Sequence, residues 1–162
     1  MDQISGVQQY HQLFGTKVYD ADTAFEFLTI AVFQAGMSWK VAASKIPVFK
    51  QVFANFDYHK IAMFDEPDLE AIESNSNMIQ NGRKIRSVLQ NAKAAVQLEP
   101  EFNNLADYFW SFKPDKSEEG DRDTIGAVVA KDMKKRGFEF VGPTTMGLLL
   151  VGMGIIERRP NA

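Results

Sequence analysis

The chain has 162 residues, of which 45% are hydrophobic, so it is long enough to bury one substantial core and falls within the usual size of a single domain. Its 18 basic and 21 acidic residues give a net charge of -3, which excludes a global attraction to polyanions or anionic membranes. Any basic site must therefore be local. The absence of cysteine excludes disulfides and thiolate zinc sites together.

The start of the chain, MDQISGVQQY, lacks the charged region and the apolar run of a secretion signal. The longest apolar run, 146–156, is interrupted by glycines and is shorter than the roughly 20 residues that a membrane-spanning helix needs. We therefore expect a cytoplasmic protein that does not enter a membrane.

The first strong helix signal lies about twenty residues into the chain. Thr23 and Glu26 have the spacing of a capping box, and the apolar positions behind them predict a helix over 23–34. Glu26 is thereby interpreted as the capping partner of Thr23. We expect Gly36 to end this helix.

Short helices are also predicted in the next part of the chain. A proline at the first helical position and aromatic residues four apart indicate an amphipathic helix over 47–53, with Phe49 and Phe53 in the core. Asp57 and Pro67 mark two further helix starts, because acidic residues and proline suit the positive end of a helix.

The second half of the chain contains the longest predicted helix, 83–98, whose apolar residues fall on one face. A shorter helix is predicted over 105–112. The polar stretch 113–123 lacks the apolar spacing needed for burial and predicts a charged surface loop. Two more helices are predicted over 124–136 and 143–156. Because no convincing alternating strand occurs in the sequence, we predict an all-α class and a single compact helical domain over 1–162.

The stretch KKRGFEFVGPTT, residues 134–145, joins the last two predicted helices. The first of these helices ends on Lys134, Lys135 and Arg136, whose charges suit the negative end of a helix. Gly137 can take the left-handed conformation that commonly stops a helix. On its own, this half of the stretch is an ordinary helix stop.

The second half of the stretch, Gly142-Pro143-Thr144-Thr145, is less ordinary. Free backbone N–H groups at the start of the next helix, beside the same cations, form a niche of the size of a phosphate. Gly142 would let a sugar-phosphate backbone approach closely. Phe138, Phe140 and Val141 are expected to point inward and anchor the hairpin. A helix corner without a ligand remains the alternative interpretation.

KKRGFEFVGPTT closely resembles the helix-hairpin-helix element of the type I 3-methyladenine DNA glycosylases. Other stretches agree with that family in the same order. They are Tyr10-His11, FQAGMSW at 33–39, Lys84-Ile85, NAKA at 91–94 and WSF at 110–112. The resemblance therefore spans about residues 10–157, nearly the whole chain.

The resemblance implies a helical protein that flips an alkylated base out of duplex DNA and hydrolyses its N-glycosidic bond. Tyr10 and Trp39 match aromatic positions of the family's base pocket. Ala31 stands where the family has a glutamate that hydrogen-bonds the damaged base, and a methyl group cannot accept that bond. Gly147 and Val151 stand where a tyrosine and a glutamine are usual, which predicts a smaller and more apolar pocket wall.

The resemblance also assigns the DNA contacts to the hairpin. The residues implied are Lys134, Lys135, Arg136, Gly137, Gly142, Thr144 and Thr145. The implied partner is double-stranded DNA that carries an alkylated base. We expect the protein to be a monomer.

The family's zinc site uses cysteines near both termini and two histidines. His11 matches one of these histidines, but the chain has no cysteine, and Ile155-Ile156-Glu157-Arg158-Arg159 occupies the region of the second histidine. We therefore expect no metal and no other cofactor, and we expect packing alone to hold the two chain ends together.

Three functions fit these observations. The first is a 3-methyladenine-type DNA glycosylase with weakened or altered base specificity. The alternative is a catalytically lapsed relative that binds DNA without excising a base. A helical protein-interaction module that has lost DNA binding is the third, and the net charge of -3 permits it.

Overall fold

The computed structural model describes residues 5–114 and 122–157, and all regular structure within these ranges is helical. The predicted all-α class is confirmed. The helices are α1 (Gly6–Leu13), α2 (Ala21–Gln34), α3 (Trp39–Ser44), α4 (Ile46–Val52), α5 (Tyr58–Ile61), α6 (Glu66–Glu73), α7 (Gly82–Phe102), α8 (Leu105–Trp110), α9 (Arg122–Lys135) and α10 (Pro143–Gly152), with a 3-10 turn at Ala54–Phe56. Within the described ranges, no helix combines the length and the apolar character that crossing a bilayer requires.

The boundaries of the predicted loop 113–123 are partly wrong. Arg122 and Asp123 already belong to the first turn of α9. Residues 115–121 lie outside the described residues.

Helix α2 is the centre of the bundle. Every residue from Ala24 to Phe33 is buried, which is expected for a helix that is apolar on all sides. Its start differs from the prediction, because the N-cap is Asp20, whose Oδ2 accepts hydrogen bonds from the Thr23 N–H (2.9 Å) and hydroxyl (2.6 Å). Glu26 is buried rather than capping, so the predicted capping box is wrong.

The longest helix, α7, confirms the prediction for 83–98 and continues further, to Phe102. Pro100 lies within its last turn, and the helix ends at Asn103, whose φ is 77°. The predicted core positions Phe49 and Phe53 are confirmed, with exposed fractions of 0% and 1%.

Helices α9 and α10 cross at very close range, which two glycines make possible. A Cβ atom on Gly126 would lie 2.1 Å from the Pro143 carbonyl oxygen, and one on Gly147 would lie 2.6 Å from that of Arg122. Any side chain at these positions would force the helices apart. Gly147 therefore faces α9, and the prediction that it forms part of a pocket wall is wrong.

The segment after α1 is joined to the end of α10 by backbone hydrogen bonds. The Gly15 N–H donates to the Gly152 carbonyl (2.7 Å), and the Val18 N–H donates to the Met153 carbonyl (3.0 Å). We call this pair of bonds the terminal clasp. The indole Nε1 of Trp110 donates to the Val18 carbonyl (2.6 Å) and ties the clasp to α8. The expectation that packing alone holds these segments was therefore incomplete.

Candidate functional site

An aromatic cleft of about 270 Å³ opens between α1, α10 and the bend that joins α2 to α3. Its lining residues are Tyr10, His11, Phe14, Gln34, Trp39 and Leu148. This volume lies just below the range of about 300–1,000 Å³ that is usual for drug-sized ligands, so it suits a ligand of one or two rings. Sequence reasoning found Tyr10 and Trp39 but did not assign Phe14, Gln34 or Leu148 to the site.

The two predicted aromatic residues face each other in this cleft. The ring centroids of Tyr10 and Trp39 are 5.9 Å apart, with an interplanar angle of 36°. The FQAGMSW stretch explains how Trp39 reaches this place, because it ends α2, reverses direction at Gly36 (φ 84°) and begins α3. The hydroxyl of Ser38 caps α3 by accepting a hydrogen bond from the Val41 N–H (3.2 Å), which fixes the first turn and the indole on it.

Tyr10 has a hydroxyl that is available to a ligand. Its side chain is 8% exposed, and the hydroxyl forms no hydrogen bond with any residue in the described ranges. Burial raises the pKa of Tyr10 to about 12, and the nearby negative charge of Glu26 adds to this effect. The residue is therefore a neutral phenol at physiological pH and can donate a hydrogen bond.

The lining of the cleft contains no carboxylate. Ala31 is buried, at 5% exposure, and is not among the lining residues. Glu26 is the buried carboxylate nearest in sequence, but it lines a separate groove that contains Lys50. Burial in that groove raises the pKa of Glu26, and the positive charge of Lys50 opposes the rise. The cleft therefore offers aromatic rings and neutral polar groups.

A second, more open groove lies at the predicted hairpin. Its lining consists of Ala35, Lys134, Phe140, Val141, Gly142, Pro143, Thr144 and Thr145. Phe138 and Val141 anchor the hairpin in the core, as predicted, with exposed fractions of 3% and 2%. Phe140 is different, because its φ of 58° turns it into the groove, where the Arg83 guanidinium carbon lies 5.8 Å from its ring centroid. The prediction that Phe140 points inward is wrong.

The first turn of α10 presents free backbone donors to this groove. The Gly142 N–H is taken by the Thr145 hydroxyl (3.3 Å), which caps the helix. The N–H groups of Thr144 and Thr145 form no hydrogen bond within the described ranges, as expected for the first turn of a helix. With the positive end of the helix dipole, these two donors can bind an anion.

The three cations of the hairpin have different surroundings. Lys134 and Lys135 are exposed and form no ion pair with a described residue. Arg136, in contrast, pairs with Glu101 (2.9 Å) and Asp132 (2.7 Å). Its guanidinium also lies over the rings of Phe102 and Tyr108, with its carbon 5.0 Å and 5.5 Å from their centroids. The guanidinium of Arg136 is therefore held within the fold, and the lysines are the cations that face solvent.

The residues present do not fit the zinc site of the family. The chain contains no cysteine and two histidines. His11 is exposed beside the cleft, whereas His59, on α5, bonds to the carboxylate of Glu99 (2.7 Å). Within the described ranges, no group of three or more potential ligands could hold a metal ion.

Comparisons with known proteins show the class to which this fold belongs. A solved structure of 3-methyladenine DNA glycosylase I, in complex with 3-methyladenine, matches 99% of this chain and 91% of that chain with a TM-score of 0.85 and 22% identity, which shows the fold. Two curated relatives are also similar to this chain in sequence. DNA-3-methyladenine glycosylase of Haemophilus influenzae is 30% identical over 94% of this chain and 88% of its own length. DNA-3-methyladenine glycosylase 1 of Escherichia coli is 28% identical over 89% of this chain and 82% of its own length.

A family model described as methyladenine glycosylase matches residues 2–161. The chain belongs to the methyladenine glycosylase family, and the resemblance found in its sequence is confirmed.

Proposed function

We propose that the protein is a base-excision repair enzyme that everts an alkylated adenine of the 3-methyladenine type from duplex DNA and hydrolyses its N-glycosidic bond. Family membership over residues 2–161 carries this proposal. The aromatic cleft supports it, since a structural neighbour with the same fold binds 3-methyladenine. We further propose that the protein acts as a monomer in the cytoplasm.

The cleft can receive an alkylated adenine by stacking. Tyr10 and Trp39 present two rings, and a cationic base above the face of an aromatic ring gains a favourable interaction of about 0.5–2 kcal/mol. The Tyr10 hydroxyl and the Gln34 side chain supply neutral polar groups that can orient the base. Phe14 and Leu148 supply apolar surface on the remaining walls.

The chemical step needs little acid catalysis. An alkylated adenine of this type is cationic in DNA and leaves as a neutral molecule, so its glycosidic bond is already weak. The protein has to supply extrusion, orientation and access for one water. A hydrogen bond to a charged group is worth about 1.5–3 kcal/mol. A cleft without a carboxylate acceptor is therefore expected to be slower by roughly tenfold to hundredfold than one that contains it.

Duplex binding is proposed to occur at the hairpin. Lys134 and Lys135 can neutralise phosphates, and the N–H groups of Thr144 and Thr145 can donate to phosphate oxygens. Gly142 leaves the approach to these donors open, and Gly137 (φ 96°) allows the sharp turn out of α9 that brings Lys134 beside them.

Release of free base from methylated DNA tests the proposal. The protein is incubated with a duplex treated with a methylating agent, and the liberated purines are separated by chromatography. We expect 3-methyladenine at a rate clearly above that from DNA alone. The Trp39→Ala variant serves as the matched protein control and should release base at nearly the background rate.

A lapsed enzyme that binds DNA without excision is the second candidate, and the absence of a carboxylate from the cleft lining favours it. Its signature is salt-dependent duplex binding without base release. Absence of both binding and release would contradict both candidates and favour a protein-interaction module.

A further inference from the structure

Buried polar side chains are concentrated on one helix. Five polar or charged side chains are buried in the described ranges, and three of them belong to α7. These are Lys84, Ser87 and Asn91, with exposed fractions of 7%, 0% and 1%. Their spacing of three and four residues places them on one face of the helix. Burying polar groups is costly unless they are bonded, so this stripe calls for an explanation.

Lys84 binds the end of α2. Its ammonium group donates hydrogen bonds to the carbonyl oxygens of Ala35 and Phe33, the latter at 3.4 Å. No carboxylate within the described ranges pairs with it, and burial lowers its pKa. The last carbonyls of a helix have no partner within the helix and carry its negative dipole end. Lys84 therefore caps α2 at the point where the chain bends towards Trp39.

Asn91, two turns further along α7, binds the hairpin. Its Oδ1 accepts a hydrogen bond from the Glu139 N–H (2.7 Å), and its Nδ2 donates to the Glu139 carbonyl (3.2 Å). The neighbouring Gln90 donates from Nε2 to the Gly137 carbonyl (3.0 Å). Two consecutive side-chain amides thus replace the backbone partners that the hairpin lacks.

The contact made by Lys84 lies where the two sites meet. Ala35, which accepts from Lys84, lines the hairpin groove, and its neighbour Gln34 lines the aromatic cleft. Asn91 lies seven positions after Lys84 on the helix, a rise of about 10 Å. Helix α7 therefore acts as a rigid spacer between the bend after α2 and the hairpin.

We propose that Lys84 and Asn91 are positioning residues with separable roles, Lys84 in base uptake and Asn91 in duplex binding. This inference rests on the proposed function. Lys84 fixes the bend that carries Gln34 and leads to Trp39, so it sets the geometry of the cleft. Asn91 fixes the hairpin backbone, so it sets the position of the phosphate-binding N–H groups.

The test compares Lys84→Met with Asn91→Leu. Each substitution keeps the approximate size of the side chain and removes its hydrogen bonds. Three quantities are measured: the Kd for an undamaged duplex by fluorescence anisotropy, the Kd for free 3-methyladenine by equilibrium dialysis, and the excision rate on methylated duplex at saturating protein. The matched control is Lys93→Met, the same change at an exposed position of the same helix. Circular dichroism verifies that each variant is folded.

We expect opposite patterns in the two variants. Lys84→Met should weaken binding of 3-methyladenine and slow excision by about tenfold or more, with a duplex Kd within about twofold of the wild type. Asn91→Leu should raise the duplex Kd by about tenfold and leave the binding of free base and the saturated rate within about twofold. Lys84→Arg should recover part of the base binding, because a guanidinium can donate to the same carbonyl oxygens.

Equal losses of both activities in both variants, or no loss in either, would overturn the positioning roles. If Lys84→Met does not fold, Lys84→Gln takes its place, because its side chain is one atom shorter and cannot donate to both carbonyl oxygens but leaves a polar group in the buried site. The same split, smaller in size, is required of it. Wild-type protein that neither binds duplex nor takes up 3-methyladenine would overturn the proposed function and this inference with it. If the wild type binds duplex and takes up 3-methyladenine, but each variant loses both activities equally or neither, only the positioning roles would be overturned.

Discussion

The aromatic cleft and the hairpin groove meet at Gln34 and Ala35, yet they are built for different kinds of binding. The cleft is less open than the groove and mainly aromatic, and its lining contains neither a carboxylate nor a lysine or arginine. The groove is open and combines one exposed lysine, Lys134, with the free N–H groups of a helix start. Stacking on aromatic rings responds weakly to salt, whereas phosphate contacts respond strongly. Base selectivity and duplex affinity should therefore be separable by mutation.

The largest expected effect is in the cleft. Trp39→Ala removes one of the two facing rings, and stacking of a base on an aromatic ring is worth about 1–3 kcal/mol. We expect binding of free 3-methyladenine to fall by roughly tenfold to hundredfold. The duplex Kd should stay within about twofold. Val41→Ala, at an exposed position of the same helix, is the control, and an equal loss in that variant would contradict the role of the indole.

The second-largest expected effect is on duplex binding at the hairpin. Changing Lys134 and Lys135 to alanine together removes two exposed cations, so fewer counterions are released when DNA binds. We expect the duplex Kd to rise by about tenfold at low salt and the slope of log K against log salt to become shallower by about 2. Binding of free 3-methyladenine should be unchanged.

Lys60→Ala, on α5, is a matched control for this loss of charge, since it removes a lysine from another helix. Unchanged duplex binding in the double variant would place the DNA site elsewhere.

Arg136→Ala is expected to act on stability. Its guanidinium joins Glu101, Asp132 and two aromatic rings at the end of α9, and the side chain is 25% exposed. Loss of such a partly buried network should lower the melting temperature by a few degrees. After correction for the folded fraction, the salt slope of duplex binding should match the wild type. A slope reduced as in the lysine variants would show that Arg136 contacts phosphate.

The smallest expected effect is a pH dependence away from both sites. The hydrogen bond from His59 to the carboxylate of Glu99 raises the pKa of His59 above its ordinary value of 6.5. This pair therefore stabilises the fold fully below the unfolded-state pKa, and its contribution is lost as the pH rises through the higher folded-state pKa.

Unfolding by urea as a function of pH measures this contribution. His59→Gln should flatten the decline in stability above pH 6.5, whereas His11→Gln, at the exposed rim of the cleft, should leave it unchanged. A decline that persists in His59→Gln would assign it to another group.

The parts of the fold that local sequence determines were predictable. The turn at Gly137 and the helix starts at Asp57 and Pro143 depend on side chains within a few residues, and the structure has them where the sequence places them. Tyr10 and Trp39 were identified because they belong to stretches that resemble a family. The distance of 5.9 Å between their ring centroids could not be predicted from a single sequence.

Interactions between distant segments account for what the sequence did not reveal. Arg136 was grouped with its lysine neighbours, although its partner Glu101 lies 35 residues away. Lys84 meets Ala35 across 49 residues, and no local pattern indicates that contact. Phe140 is a large apolar residue of the kind that anchors a hairpin in the core, but its backbone has a φ of 58°. Only the closed hairpin fixes this backbone angle. Tertiary packing, which local propensity does not encode, decided each of these cases.

The terminal clasp has a consequence for how the protein withstands its surroundings. Peptide hydrogen bonds at Gly15 and Val18 need no ion to be delivered after synthesis, and no thiolate stands ready to be oxidised, because the chain lacks cysteine. Chelators should therefore leave these two hydrogen bonds in place.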